Sequence, residues 1–277
     1  MSRVDDGPTA VPRLRAAGVS LGYGDTVVVD DLDLDVLDGT VTAVIGPNGC
    51  GKSTVLRALA RLLAPRHGHV LLDGERIDRV PPRQVATRLG VLPQNPSAPD
   101  GLTVADLVAR GRHPHQRWYR QWSPGDEAAV DEALAWTDMA ELADRPLETL
   151  SGGQRQRVWI SMALAQGTDL LLLDEPTTFL DLAHQVDVLD LVERLHRERG
   201  RTVVMVLHDL NLAARYADRL VAMHRGRIAA SGTPAEVLTE ETMRAVFGLE
   251  ARVLTDPVAG TPMVVPVGRR HREDQTG

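Results

Sequence analysis

The sequence predicts an α/β protein built on a mostly parallel sheet, with an N-terminal antiparallel β subdomain and an inserted helical subdomain. Three observations predict it. Short apolar runs at Leu89 to Leu92, Leu170 to Leu173 and Val203 to Leu207 have strand length and no polar alternation, the pattern of strands buried on both faces. A further run, Val41 to Ile45, passes through the glycine-rich GPNGCG into KSTVLRALARLL, whose apolar residues recur at helical spacing. Residues 96–165, by contrast, carry helical patterns and no convincing strand.

Taken in chain order, residues 1–12 mix Gly7, Pro8, Pro12 and acids without periodicity and predict a disordered tail. Leu14 to Val36 alternates, most regularly in VVVDDLDLDV, as half-exposed antiparallel strands do. Strand, loop and helix follow from Val41. Helical patterns at 103–111, 126–143 and 154–165 place the inserted subdomain at about 96–165. After Asp218 come short strands and helices, then a polar tail at 269–277. One domain, 13–268, is expected, with no internal repeat.

The chain has 277 residues, 43% hydrophobic and 25% charged, a globular balance. No stretch reaches the roughly 18 to 20 apolar residues of a membrane-spanning helix. The opening MSRVDDGPTA has acids and a proline where a secretory leader needs basic residues and an apolar run. A single cysteine, Cys50, excludes an internal disulfide and fits a reducing cytosol. The net charge of -7 argues against nucleic acid as a partner. Of 31 basic residues only Lys52 is lysine, so its role is one that arginine does not fill.

Gly46-Pro47-Asn48-Gly49-Cys50-Gly51-Lys52-Ser53 matches G-x-x-x-x-G-K-[ST], in the strand-to-helix setting that gives the pattern meaning. Its glycines let backbone N–H groups approach phosphate oxygens, the following helix directs its positive end at them, and Ser53 offers a hydroxyl to Mg²⁺. An ordinary glycine turn would match by chance in less than about one such chain in a thousand. Lysine suits the site as a compact charge on a slim stem, where an arginine fork is bulkier. Cys50, near a helix start, is expected to be a reactive thiol that bound nucleotide protects.

Leu170 to Leu173 end in Asp174 and Glu175, an abrupt finish for a buried strand unless cations or water bind there. Asp174 can hold Mg²⁺ through its hydration shell, and Glu175 can take a proton from an attacking water. In Leu150-Ser151-Gly152-Gly153-Gln154, Ser151 and Gln154 form an S-x-x-Q capping box. Capping leaves two first-turn glycines unexplained, each costing about 1 kcal/mol against alanine. Bare backbone at a helix start gives an anion access, so the segment reads as a second phosphate-reading surface.

GPNGCGKST (through Thr54), LLLLDE and LSGGQ resemble the Walker A, Walker B and signature motifs of ATP-binding cassette (ABC) transporter ATPases, in the expected order. The resemblance covers nearly the whole chain. It implies a P-loop NTPase cassette that binds ATP with Mg²⁺. It puts Gln94 of VLPQN at the Q-loop linking Mg²⁺ and water to a permease, and His208 of VLHDL at the switch that contacts the γ-phosphate. Tyr23 matches the residue that stacks on adenine, and Asp181 of TTFLD the D-loop at the subunit contact. A homodimer is implied, in which Ser151 and Gly153 of one subunit reach the γ-phosphate held by the other. Permease subunits and, indirectly, an extracytoplasmic binding protein are the implied partners, with the chain at the cytoplasmic membrane face.

GLTVADLVARGRHPHQ (101–116) and DEPTTFLDLAHQVDVLDLV (174–192) are similar to the ferric-siderophore and cobalamin importer ATPases, with haem importers sharing some wording. Phe179 stands where tyrosine is more usual in that group. Ferric-siderophore import is the favoured cargo, cobalamin or haem import the alternative. An ABC ATPase acting on ribosomes or DNA is the reading from another class; such chains usually carry two cassettes or long coiled coils. Arg110 to Trp122 could pass for an RNA platform but reads better as a solvated face near a permease contact. The pairs His67/His69 and His113/His115 are too few to make metal sites.

Overall fold

The computed structural model describes residues 12–116 and 122–268. The expected tails, Pro12 aside, lie outside the described residues, and so do residues 117–121 of the stretch rich in cations and aromatics.

Leu14–Tyr23 (β1) and Thr26–Val36 (β2) pair antiparallel, burying Leu14, Ala16, Val19 and Leu21 on one strand and Leu32, Leu34 and Val36 on the other. The inward alternation changes parity where the register shifts between Ala16 and Val19. Val41–Ile45 (β3), buried throughout, leads through the phosphate-loop sequence to Lys52–Leu59 (α1). His67–Leu72 (β4) adds to the free edge of β1, and Glu75–Arg76 (β5) returns after an Asp73-Gly74 turn. Periodicity does not signal β4, because only Val70 and Leu72 are buried in HGHVLL.

Pro82–Arg88 (α2) enters Leu89–Leu92 (β6). Val104–Ala109 (α3), Pro124–Trp136 (α4) and Gly152–Ala165 (α5) make up the helical segment, each opened by a reciprocal capping box. The pattern expected to run to residue 143 stops at Trp136, because Asp138 takes a left-handed φ of 58°. Leu170–Asp174 (β7), Leu182–Arg199 (α6), Thr202–Val206 (β8), Leu210–Tyr216 (α7), Arg219–His224 (β9) and Arg227–Gly232 (β10) complete the core. Pro234–Val237 (α8), Glu240–Phe247 (α9) and a hairpin of Ala251–Thr255 (β11) and Pro262–Pro266 (β12) follow. No helix among the described residues is long and apolar enough to cross a membrane.

The central sheet has the order β10-β9-β3-β8-β7-β6, parallel from β9 to β6 with β10 antiparallel at one edge. It separates two cores. Leu170, Leu172, Val204 and Val206 face α1 and the antiparallel sheet, whereas Leu171, Leu173, Val203 and Met205 face the helical side. A fully apolar strand is what such two-sided burial requires. Because β3, β6, β7 and β8 run the same way, the residues that follow them emerge at one edge, where open α/β sheets bind ligands.

The C-terminal hairpin is fastened to α7. Asn211 Nδ2 donates to the Val264 carbonyl (3.3 Å), Val264 N–H donates to Asn211 Oδ1 (2.7 Å), and Arg215 Nη2 donates to Asp256 Oδ2 (2.6 Å). The Arg215 guanidinium, helped by the Val258 and Ala259 N–H groups, holds the Asp256 carboxyl down at about 2. A folded value below the ordinary 3.8 means stabilisation that is complete above about pH 4 and is lost as pH falls toward 2. Asp256→Asn is therefore expected to lower the melting temperature at pH 7, with the gap to wild type narrowing between about pH 4 and pH 2; thermal melts across that range check it.

Candidate nucleotide site

The phosphate-loop residues Gly46, Pro47, Asn48, Gly49 and Cys50 lie between β3 and α1, as the spacing predicts. Gly51 caps α1 at φ 105°, and a Cβ there would lie 2.8 Å from Val29 Cγ2, so only glycine lets the helix start this close to β2. No side chain caps α1, which leaves its first-turn N–H groups available to an anion. Lys52 is 5% exposed, and its ammonium donates to the carbonyls of Gly46 (2.8 Å) and Pro47 (3.1 Å). One residue on, Ser53 Oγ donates to Asp174 Oδ1 (2.8 Å), which ties the loop and α1 to the end of β7; Thr54 is buried beside it.

Burial pushes the Asp174 carboxyl above the usual carboxylate range, against the hydrogen bond from Ser53 and with the like charge of Glu175 adding to it. A buried carboxylate bonded to a serine hydroxyl is a pair of hard oxygen donors, which fits Mg²⁺, and Gln94 bonds to the neighbouring Glu175. Glu175 behaves in the opposite way. Burial would raise its carboxyl, but hydrogen bonds from His208, Gln94 and Thr178 outweigh it and the net shift is downward. His208 Nε2 is 2.8 Å from Glu175 Oε1, and Thr178 Oγ1 donates to Glu175 Oε2 at 2.9 Å. Glu175 itself has φ 54°, a left-handed backbone uncommon outside glycine, held here by these contacts on its side chain.

At the signature segment Ser151 accepts from Gln154 N–H (3.2 Å) while Gln154 Oε1 accepts from Ser151 N–H (3.1 Å). Ser151 and Gly152 are exposed. Among the described residues no hydrogen bond joins Ser151, Gly152, Gly153 or Gln154 to the phosphate loop. Asp181 caps α6 and also accepts from His184 through the backbone (2.9 Å) and lies 2.7 Å from its ring Nδ1. Tyr23 ends β1, 46% exposed, with Arg57 Nη1 donating to its hydroxyl at 3.2 Å.

A glycine-rich loop at a helix start, a strand-end carboxylate pair and a histidine on the second carboxylate share one sheet edge, and the ABC transporter family profile matches residues 29–178. The chain belongs to the ABC transporter family. It is 53% identical over 260 residues to the ferric enterobactin transport ATP-binding protein FepC of Escherichia coli (strain K12), covering 94% of this chain and 96% of that one. It is 52% identical over 259 residues to the petrobactin import ATP-binding protein FpuD of Bacillus anthracis, covering 94% and 95%. A solved dimeric bacterial ABC transporter cassette superposes with a TM-score of 0.70 at 28% identity, covering 80% of this chain and 98% of that one. The chain is thus a nucleotide-binding ATPase cassette with the α/β, antiparallel β and helical parts that its sequence predicts.

Two expectations change in the ABC cassette. Gly153 is glycine for a packing reason as well as for access: a Cβ there would lie 2.4 Å from His184 Cδ2, whereas at Gly152 the nearest atom is 3.9 Å away. The expected reactive thiol is overturned, because Cys50 is 5% exposed and burial pushes its thiol pKa up. Thr178 and His184 escape the sequence reading. Their signals are weak ones, a hydroxyl three residues after Glu175 and a histidine three residues after the capping Asp181. His115 is engaged by the Gln166 carbonyl (2.7 Å) and His69 lies on β4; no metal-holding cluster occurs among the described residues. Maleimide is expected to label Cys50 slowly with or without ATP and rapidly in denaturant, which mass spectrometry of timed samples checks.

Proposed function

We propose that the cassette is the ATP-hydrolysing subunit of an importer for ferric siderophores. The observation that carries this reading is identity above 50% along nearly the full chain to proteins named for ferric enterobactin transport, siderophore transport and petrobactin import. Cobalamin import ATP-binding proteins of Halobacterium salinarum stand further off, at 42% identity. Cargo passes through separate permease subunits, fed by an extracytoplasmic binding protein, and the cassette works at the cytoplasmic face of the membrane.

Lys52 and the loop N–H groups from Gly46 to Thr54 hold the β- and γ-phosphates, while Tyr23 stacks on adenine, its hydroxyl tethered by Arg57. Ser53, Asp174 and Gln94 would hold Mg²⁺, which would offset phosphate charge when bound. Glu175 orients the attacking water and takes its proton, and His208 keeps the γ-phosphate in register with it. The donors on Glu175 keep it ionised at neutral pH, ready to accept that proton.

Two cassettes make the working unit. The exposed Ser151 and Gly152, with Gly153 and Gln154, read the γ-phosphate held by the partner subunit, and Asp181 lies at the contact. The symmetry gives two equivalent sites. Residues 96–165 act as the helical subdomain of a single domain, 13–268. A groove lined by Pro96, Ala98, Asp100, Leu147, Arg155 and Trp159, just beyond Gln94, receives the permease.

Glu175→Gln is expected to keep ATP binding and lower turnover by at least about a hundredfold, because the amide keeps the shape and loses the base. Size-exclusion chromatography with Mg-ATP should show a trapped dimer, and wild-type turnover would remove Glu175 from the role. A deletion strain lacking redundant ATPases should grow poorly under iron limitation, recover with free iron and fail to accumulate radiolabelled ferric siderophore. Normal siderophore uptake would sink the cargo assignment, and loss of cobalamin uptake instead would favour the alternative.

A further inference from the structure

We propose that the C-terminal hairpin β11–β12 is a strap that positions His208, acting through α7 by way of Asn211 and the Arg215–Asp256 pair. It rests on the reading of His208 as the residue that registers the γ-phosphate.

His208 sits where β8 has ended and α7 has not begun. On its N-terminal side the last ladder bond is Leu207 N–H to the Val44 carbonyl (3.2 Å). On its C-terminal side Asp209 caps α7, its Oδ1 accepting from Asn211 N–H (2.8 Å) and Leu212 N–H (2.9 Å). The direction of the His208 side chain therefore depends on its contact with Glu175 (2.8 Å) and, through the backbone, on two anchors, the sheet and α7. The sheet anchor is rigid. The other is a helix of seven residues, too short to hold itself in place.

The hairpin is the largest of several holds on α7, which also packs on β3, α6 and α8 and donates from the Tyr216 hydroxyl to Asp190 of α6 (2.5 Å); the hairpin is itself a two-stranded unit of marginal stability alone. Ala213 and Ala214 of α7 share one buried core with Ala251 and Val264 of the hairpin. Asn211 and Arg215 are four residues apart and so share a face of the helix. Asn211 pairs with both backbone groups of Val264 as a neighbouring strand would, fixing the first turn of α7. Arg215 fixes the last turn through Asp256, whose Oδ1 also accepts from Val258 N–H (2.8 Å) and Ala259 N–H (3.2 Å) at the hairpin bend. A helix pinned at both ends cannot swing about its capping residue, and the histidine next to that residue inherits the constraint. The strap lies beyond residues 29–178, the part that the family profile matches.

The test uses the full chain with Asn211→Leu, which keeps the shape and loses both bonds, and Asp256→Asn, a milder variant in case the first folds poorly. Steady-state hydrolysis should show kcat lowered by about tenfold or more with the KM for ATP within about twofold, since a misplaced group costs rate and spares ground-state binding. In ¹H–¹³C spectra the ring resonance of His208, assigned by its disappearance in His208→Ala, should shift in both variants. In the His208→Ala background neither substitution should lower the residual rate further. Leu254→Ser, on the exposed face of the hairpin, should leave kcat unchanged. Wild-type kcat with an unmoved His208 resonance overturns the proposal, as does an equal loss with and without His208 or an equal loss in Leu254→Ser. Unimpaired turnover in His208→Ala alone would instead overturn the reading of His208, and the strap's role with it.

Discussion

A parallel sheet buried on both faces tolerates no charge along its strands, so every polar group the chain needs must stand where a strand stops. That constraint arranges the molecule. Leu170 to Leu173 are buried in alternate directions, and the first carboxylate comes at Asp174, the last residue of β7. Ser53 reaches that carboxylate from α1, so a single hydrogen bond of 2.8 Å joins the phosphate loop to the carboxylate strand. Gln94 and His208, following β6 and β8, arrive at the same edge because parallel strands end together.

The two acidic neighbours then diverge electrostatically although one peptide bond separates them. Asp174 is dominated by burial and has its pKa raised. Glu175 is also buried but receives three donors, and they lower its pKa. The divergence follows from the partners each carboxyl meets: Ser53 on Asp174, and His208 and Thr178 on Glu175, whose backbone is left-handed at φ 54°. Burial alone would have raised both.

Packing sets tolerances as narrow as those of the chemistry. His184 lies against Gly153 while it pairs with Asp181, so the start of the signature helix and the start of α6 are fitted to each other. Arg112 and Asp126 form a nearly buried pair at 2.9 Å under the helical segment, with Ser123 as a second donor to Asp126. In the first place a polar bond within α6 holds the ring that packs on the signature helix, and in the second a polar pair ties Arg112 to the start of α4, each fixing a contact that apolar packing alone would leave free to slide.

The sequence by itself determined the class of fold and the local elements of the candidate site, because those depend on local patterns. Apolar runs mark buried strands, a glycine loop before a helix marks a phosphate cradle, and Ser151 with Gln154 marks a helix start that the structure reproduces bond for bond. It could not determine contacts between residues far apart in the chain. Cys50 looked reactive from its position at a helix start, yet the fold encloses it; Gly153 looked like bare backbone for an anion, yet His184 also demands it. Thr178 on Glu175, Asn211 on Val264 and Arg215 on Asp256 carry no periodic signal. Only tertiary structure decides such contacts, because side-chain burial and hydrogen-bond partners are fixed when separate elements meet, and nothing in local spacing records where that meeting occurs.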